Sequence, residues 1–249
     1  MWDYEPTWIP PGLEYVERSD VLMWRRNGLR SRERWGNRVA YTHSTPARIE
    51  SLIDEAFAFF GDRPFSWVVG ASSMPRDVDE RLVHRGLVDI GDGDLLSAEL
   101  PIRGLRSTGV ARIVEVEDEE VARIGLRLAH PDASAEEMEE QVAEMLAYLG
   151  LPERRGGFLV AFVDGQPAAN AAYRYSSDRR TVYLNGAETV ERFRGRGVYQ
   201  SLVAYRADAA LRLGCRFAAI RARRDTSLPI LMSRGFVDHG HLPIYARAA

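Results

Sequence analysis

The chain has 249 residues, 45% hydrophobic and 28% charged, which fits one large or two small globular domains and excludes disordered, collagen-like and low-complexity chains. A formal net charge of −3 leaves no overall basic field for non-specific nucleic-acid binding, and all 33 basic residues are arginines, suited to forked contacts with phosphate or carboxylate. The single cysteine, Cys215, excludes an internal disulfide framework and a cysteine zinc site, and no run of about 18 apolar residues is present to span a membrane.

Met1 to Pro11 carries Asp3 and Glu5 and no apolar h-region, so a secretory signal is not expected and a cytoplasmic protein is. The first clear helix pattern is Ile49, Leu52, Ile53, Ala56, Phe57 and Phe60, with Thr45 predicted to cap it, Pro46 at its first position and Gly61 at its end. Phe65 to Val69 reads as a strand, and the decapeptide L-V-H-R-G-L-V-D-I-G follows at Leu82 to Gly91. Arg, Ser, Thr and Gly interrupt the pattern between Gly104 and Gly109, which places a domain boundary there and predicts domains 1–106 and 107–249.

Val110 to Val116 alternates as a strand, and a helix is predicted after it through about Ala129. A second helix spans Ala135 to Leu149, with Ser134 and Glu137 as a capping box and Gly150 and Pro152 as its stop. Phe158–Val163, Ala168–Tyr175 and Thr181–Ala187 read as three meander strands, turned at Asp164-Gly165 and at Ser176 to Arg180. Val198, Leu202, Tyr205, Ala209 and Leu213 form the stripe of the next helix, closed by Gly214, and Phe217 to Ile220 is strand-like. The decapeptide then returns as L-M-S-R-G-F-V-D-H-G at Leu231 to Gly240, identical at six of ten positions. Helix, strand, helix and decapeptide thus occur twice in the same order, which points to a duplicated α/β unit rather than a chance likeness.

The chemistry concentrates in R-F-R-G-R-G-V-Y, Arg192 to Tyr199. Gly195 and Gly197 permit close approach of backbone to a bulky anion, the following helix offers unpaired N–H groups and the positive end of its dipole, and Arg194 and Arg196 add cations. That combination is a pyrophosphate site in its physics, although a glycine pair before a helix is also an ordinary tight turn. A dinucleotide fingerprint lacks its third glycine, and a P-loop lacks its lysine.

R-x-x-G-x-G at Arg192, Gly195 and Gly197, between a strand and a helix, resembles the coenzyme A motif of the GNAT superfamily of acyl-CoA-dependent N-acyltransferases. Ser227 to Phe236, S-L-P-I-L-M-S-R-G-F, resembles that superfamily's next helix and its Gly-Phe ending, and the element order of residues 108–249 matches its fold. The resemblance implies two tandem GNAT-like α/β domains, each a mixed, mostly antiparallel central sheet flanked by helices, the first degenerate. Its equivalent loop, Ser44 to Arg48, has no glycine pair, and Pro46 removes an N–H donor, so one coenzyme A per chain is expected.

By the same resemblance, acetyl-CoA or another acyl-CoA is the co-substrate, held by Thr189, Val190, Arg192, Arg194, Gly195, Arg196, Gly197, Val198, Tyr199 and Ser227, with no metal. The implied reaction is direct attack of a primary amine of a small molecule on the thioester, without an acyl-enzyme. Glu188 is the candidate base, and Tyr183, Asn185 and Glu188 line the acceptor side. Many members carry a tyrosine four residues before the Gly of the Gly-Phe pair as proton donor; Leu231 stands there, leaving Tyr199 and Tyr245 as candidates.

Charge is uneven along this half: Glu115 to Glu144 holds eleven acids and two arginines, net −9, and Arg174 to Arg224 holds twelve arginines and four acids, net +8. The basic stretch suits an anionic co-substrate and the acidic one a cationic amine, or simply a solvated helix face. A larger acyl group, a protein amine, a catalytically silent acyl-CoA binder and a scaffold without cofactor are the alternatives. No nucleic-acid or membrane partner is expected, and the chain is expected as a monomer or homodimer. Cys215, the H-x-H of His239 and His241, and the five tryptophans (Trp2, Trp8, Trp24, Trp35 and Trp67, all in the first half) read as packing or pocket residues.

Overall fold

A computed structural model describes residues 12–247, so the N-terminal reading and Trp2 and Trp8 lie outside the described residues. The described chain forms two compact units, one of residues 12–93 with 241–247 and one of residues 94–240. The boundary expected near residue 106 falls inside the second of these.

The first unit contains β1 (Leu13–Glu17), β2 (Val21–Arg26), β3 (Arg38–Thr42), α1 (Ile49–Phe60), β4 (Ser66–Val68), α2 (Val78–His84) and β5 (Leu87–Asp89). The second contains β6 (Gly93–Glu99), β7 (Arg112–Glu115), α3 (Glu119–Ala129), α4 (Ala135–Leu149), β8 (Gly156–Val163), β9 (Gln166–Tyr175), β10 (Thr181–Tyr183) and β11 (Ala187–Thr189). It continues with α5 (Val198–Arg212), β12 (Phe217–Arg223), α6 (Ser227–Met232) and β13 (Val237–His241), after which β14 (Ile244–Arg247) returns to the first unit.

The duplication is visible in the strand pairing. β3 pairs parallel to β4 across α1, and β10 pairs parallel to β12 across α5. The repeated decapeptides each turn from a helix into a strand through a left-handed glycine, Gly86 at φ 82° and Gly235 at φ 90°. The sheets are ordered β1-β2-β3-β4-β14-β5 and β13-β6-β12-β10-β9-β8-β7, with β11 paired to β9. Each unit therefore receives one strand from the other end of the chain: β6 lies between β12 and β13, and β14 between β4 and β5. Hydrophobic alternation identifies a strand but not its partner, so this exchange was not expected.

Local signals mostly hold. α4 has its full capping box, Asp118 caps α3 through the Val121 N–H, and the Asp164-Gly165 turn takes positive φ at both residues, as a tight hairpin requires. Three expectations change. Thr45 does not cap α1 with its side chain; its carbonyl accepts the Arg48 and Ile49 N–H groups instead. The strand expected at Thr181–Ala187 is broken into β10 and β11. Leu213 is 53% exposed, because α5 buries a face of Ser201, Leu202, Val203, Arg206, Ala207 and Ala210.

The first unit's core joins α1 to Val21, Met23, Val39 and Trp67, whose Nε1 donates to Thr42 Oγ1 at 2.9 Å. In the second unit β8 alternates: Leu159, Ala161 and Val163 pack with α5, while Phe158, Val160 and Phe162 pack with α3 and α4. Cys215 is buried in the α5-side core, where burial raises its thiol pKa, an environment for packing rather than reactivity.

Beside the return of the chain into β14, Asp89 Oδ1 accepts from the Gly91 and Ile244 amides, and His241 Nε2 meets Asp89 Oδ2 at 2.5 Å. Burial alone pushes the Asp89 carboxyl up, but the hydrogen bonds from His241, Gly91 and Ile244 outweigh it and hold the pKa below its ordinary value. A depressed carboxyl stabilises the fold above its unfolded-state pKa of about 3.9 and stops doing so as pH falls through the lower folded value. The stability difference between wild type and Asp89→Asn is thus expected in full above about pH 4 and to shrink on further acidification. Urea midpoints between pH 3 and 7 check this, and a difference independent of pH would contradict it.

Candidate active site

The break between β10 and β11 organises the centre of the second unit. β10 pairs with β9 through Val182 and Tyr183 and with β12 from Thr181 to Tyr183. The Leu184 N–H still reaches the Ala219 carbonyl at 2.8 Å; beyond it, β11 pairs with β9 and not with β12. Two carbonyls, of Asn185 and Gly186, crowd onto the one Ala172 N–H, each at 3.0 Å, which is the geometry of a bulge. The sheet therefore opens between β11 and the last residues of β12.

Which backbone groups face that opening follows from the ladder. Val190 N–H donates to the Ala168 carbonyl at 2.9 Å, so Val190 and, two residues earlier, Glu188 turn their backbone toward β9. Ala187 and Thr189 turn theirs the other way, into the opening. Of the two expected backbone contacts, Val190 has its amide committed within the sheet, whereas Thr189 faces outward; its carbonyl accepts from Arg194 Nε at 3.1 Å.

β11 leads through a short turn, Glu191–Phe193, into the glycine loop. Phe193 is buried, which anchors the loop, and the Arg192 and Arg196 guanidinium groups lie over its ring. Gly195 and Gly197 take φ of 75° and 83°, conformations that other residues rarely adopt. A Cβ at Gly195 would meet nothing within 4 Å, whereas one at Gly197 would come within 2.7 Å of Thr108 Cγ2. Among the described residues the amides of Gly195, Arg196, Gly197 and Val198 have no backbone acceptor. The loop thus offers open space, unspent donors and exposed Arg192, Arg194 and Arg196, a set that fits the phosphates of coenzyme A. Arg196 makes an exposed contact with Asp164 at 3.3 Å, which costs little to release.

Thr108 and Ser201 were not anticipated. The Thr108 N–H donates to Ser201 Oγ at 3.1 Å, the two hydroxyls lie 2.9 Å apart, and Gln200 Nε2 donates to the Arg106 carbonyl at 2.9 Å. The Arg/Ser/Thr/Gly stretch that reads as a domain boundary is therefore the support of the first turn of α5. No local signal reports this, since the contact spans more than ninety residues.

Tyr199 points into the unit, where it is hydrogen-bonded to Ser227, and Ser227 Oγ in turn accepts the Arg223 N–H at 2.9 Å. Burial raises the Tyr199 pKa, and neighbouring Arg206 and the Ser227 hydrogen bond only partly oppose that. The phenol is a protonated donor throughout the neutral range. Leu231, at the family's tyrosine position, is 1% exposed within the core. Tyr245 lies on β14, in the first unit's sheet and core, whereas the residues gathered around β11 belong to the second unit.

Glu188 is exposed and in register with Asn170 of β9, whose buried Nδ2 has no hydrogen-bond partner among the described residues. Tyr183 shares this sheet face by strand alternation, two rungs beyond the bulge. Asn185 does not simply continue it, because the bulge spends its carbonyl on Ala172 and turns its N–H back onto the Tyr183 carbonyl. A groove of about 730 Å³ runs along α3, lined by Glu119, Glu120, Arg123, Ile124, Arg127, Leu128 and Pro167. Arg123 pairs with Glu119 and Glu139, offsetting part of the acidic excess.

Of the paired histidines, His239 contacts Ser97 Oγ at 2.7 Å, and His241 contacts Asp89, so the two engage separate partners. Among the described residues no helix is long and apolar enough to cross a membrane.

The model of the acetyltransferase (GNAT) family matches residues 123–236. No curated protein sequence matches the chain significantly. Among solved structures, a GCN5-related N-acetyltransferase from Kribbella flavida is similar at 18% identity and TM-score 0.69, over 95% of this chain and 90% of that one. A tandem GNAT protein from the clavulanic acid biosynthesis pathway is similar at 14% identity and TM-score 0.66, over 96% and 84%. A conserved protein of unknown function from Staphylococcus epidermidis has 15% identity and TM-score 0.63, over 93% and 92%. These likenesses extend the shared fold over nearly the whole chain, beyond the region the family model spans. Residues 123–236 thus form a domain of the GNAT acetyltransferase family, within a fold that nearly the whole chain shares with a tandem GNAT protein.

Proposed function

We propose that the chain transfers the acetyl group of acetyl-CoA to a primary amine of a small molecule. The observation that carries this reading is the open Gly195–Val198 amide cradle at the end of a strand that has parted from its neighbour. Bound acetyl-CoA supplies a thioester carbonyl for the amine nitrogen to attack, with the C–S bond breaking and the thiolate leaving. Arg192, Arg194 and Arg196 and the loop amides hold the phosphates. The outward-facing Thr189 N–H donates to the carbonyl oxygen as negative charge develops there.

Glu188, directly or through water, accepts the proton the ammonium must lose, and Asn170 orients the amine beside it. Tyr199 returns a proton to the sulfur, drawing on the Ser227 hydroxyl contact. The acidic excess and the Glu119 and Glu120 rim of the α3 groove favour a cationic amine. The first unit acts as a degenerate domain without a cofactor loop, in a cytoplasmic protein.

A panel of polyamines, aminoglycosides and neutral amines with acetyl-CoA, read by thiol release, tests the reading. Cationic amines are expected to turn over and neutral ones to lag. Acetyl-CoA binding without thiol release from any amine would instead identify a silent binder.

A further inference from the structure

Arg206 of α5 is 1% exposed, and among the described residues no carboxylate pairs with it. Taking an unpaired guanidinium out of water is costly, and an apolar side chain of similar size would fill the same space without that penalty. Its hydrogen bonds indicate what it supports. Nε donates to the Leu202 carbonyl at 3.0 Å, and Nη1 donates to the Ala172 carbonyl at 2.9 Å and the Asn185 carbonyl at 3.3 Å; among the described residues Nη2 has no partner.

Ala172 and Asn185 are the two sides of the bulge. In an unbroken ladder the Ala172 carbonyl would receive an N–H from the facing strand. Here the Asn185 N–H folds back to the Tyr183 carbonyl and the Leu184 N–H goes to Ala219, so neither reaches it. The guanidinium occupies the place of that missing donor. Without it a buried carbonyl would be orphaned, and the chain would be drawn toward a register that restores pairing and closes the opening.

We propose that Arg206 is a positioning residue that holds the break between β10 and β11, and so sets the direction in which Ala187 and Thr189 present their backbone to the pantetheine arm and thioester. This rests on the acetyl-CoA reading above. It predicts a selective defect: the arm of the co-substrate uses the opening, whereas its nucleotide end uses the glycine loop some ten residues away in sequence.

The test compares binding of acetyl-CoA and of 3′,5′-ADP, which carries only the nucleotide end, to wild type, Arg206→Met and Arg206→Lys. Arg206→Met is expected to weaken acetyl-CoA roughly tenfold, the worth of one hydrogen-bonded contact, and to leave 3′,5′-ADP within about twofold. Arg206→Lys, which keeps a charge and one donor, is expected to fall between wild type and Arg206→Met. Should Arg206→Met fail to fold, the same selective loss in Arg206→Lys carries the inference. A parallel loss of both ligands, or no loss of either, overturns it while leaving the acetyl-CoA reading standing. A wild type that binds neither ligand refutes that reading, and this inference with it.

Discussion

Gly195→Asp is expected to abolish the stabilisation of the protein by acetyl-CoA while costing the unliganded fold only the strain of one left-handed residue, about 1 kcal/mol. A ligand at a hundred times its dissociation constant adds about 2.7 kcal/mol, a rise of several degrees in Tm for a chain of this size. Nothing lies within 4 Å of a Cβ at Gly195, so the substitution disturbs no packing, and aspartate tolerates a left-handed φ better than most residues. It would nevertheless fill the cradle and set a carboxylate against the phosphates. Gly197 is the wrong position for this experiment, because a side chain there would strike Thr108 and confound binding with stability. Thermal unfolding with and without millimolar acetyl-CoA measures both quantities. A Gly195→Asp variant that still gained the full shift would remove the loop from the site.

Tyr199→Phe is expected to slow thiol release by roughly ten- to a hundredfold, the lower part of the range for a lost general acid, because a thiolate is a tolerable leaving group. Acetyl-CoA binding should change little, since the ring stays and only the hydroxyl goes. Burial keeps the phenol protonated beyond its ordinary pKa of 10, so wild-type activity should not fall on the alkaline side through this group below that value. Rates from pH 6 to 10 on both proteins, with a turnover-competent amine, decide the matter. An unchanged rate in Tyr199→Phe would leave solvent as the proton source. Leu231, sealed in the core, offers no replacement, and Tyr245 serves the other unit's packing.

Much of this was legible in one dimension. The Asp164-Gly165 hairpin, the Ser134 capping box and the glycines ending α1 and α5 are local events, decided by φ preference and by side chains within four residues. The repeated decapeptide announced the duplication, and the glycine pair announced the left-handed turn that leads into α5. Local pattern failed where partners were distant. The α5 stripe was drawn through Leu213, which is exposed, and past Arg206, which is buried, because apolar periodicity ranks leucine above arginine. An arginine flanked by Leu202, Val203, Ala207 and Ala210 was the available signal for a core position, and hydropathy alone discounts it.

Sequence by itself determined most elements of residues 110–240, the duplicated order, the glycine–arginine loop and the family that residues 123–236 match, since each depends on side chains close together along the chain. Tertiary structure decided the reciprocal placement of β6 and β14, the break between β10 and β11, the support of the loop by Thr108 and Ser201, and the burial of Arg206. Each of these is a choice among hydrogen-bond partners far apart in the chain. A backbone N–H or carbonyl is obliged to find a partner when buried, but its own sequence neighbourhood does not say which one.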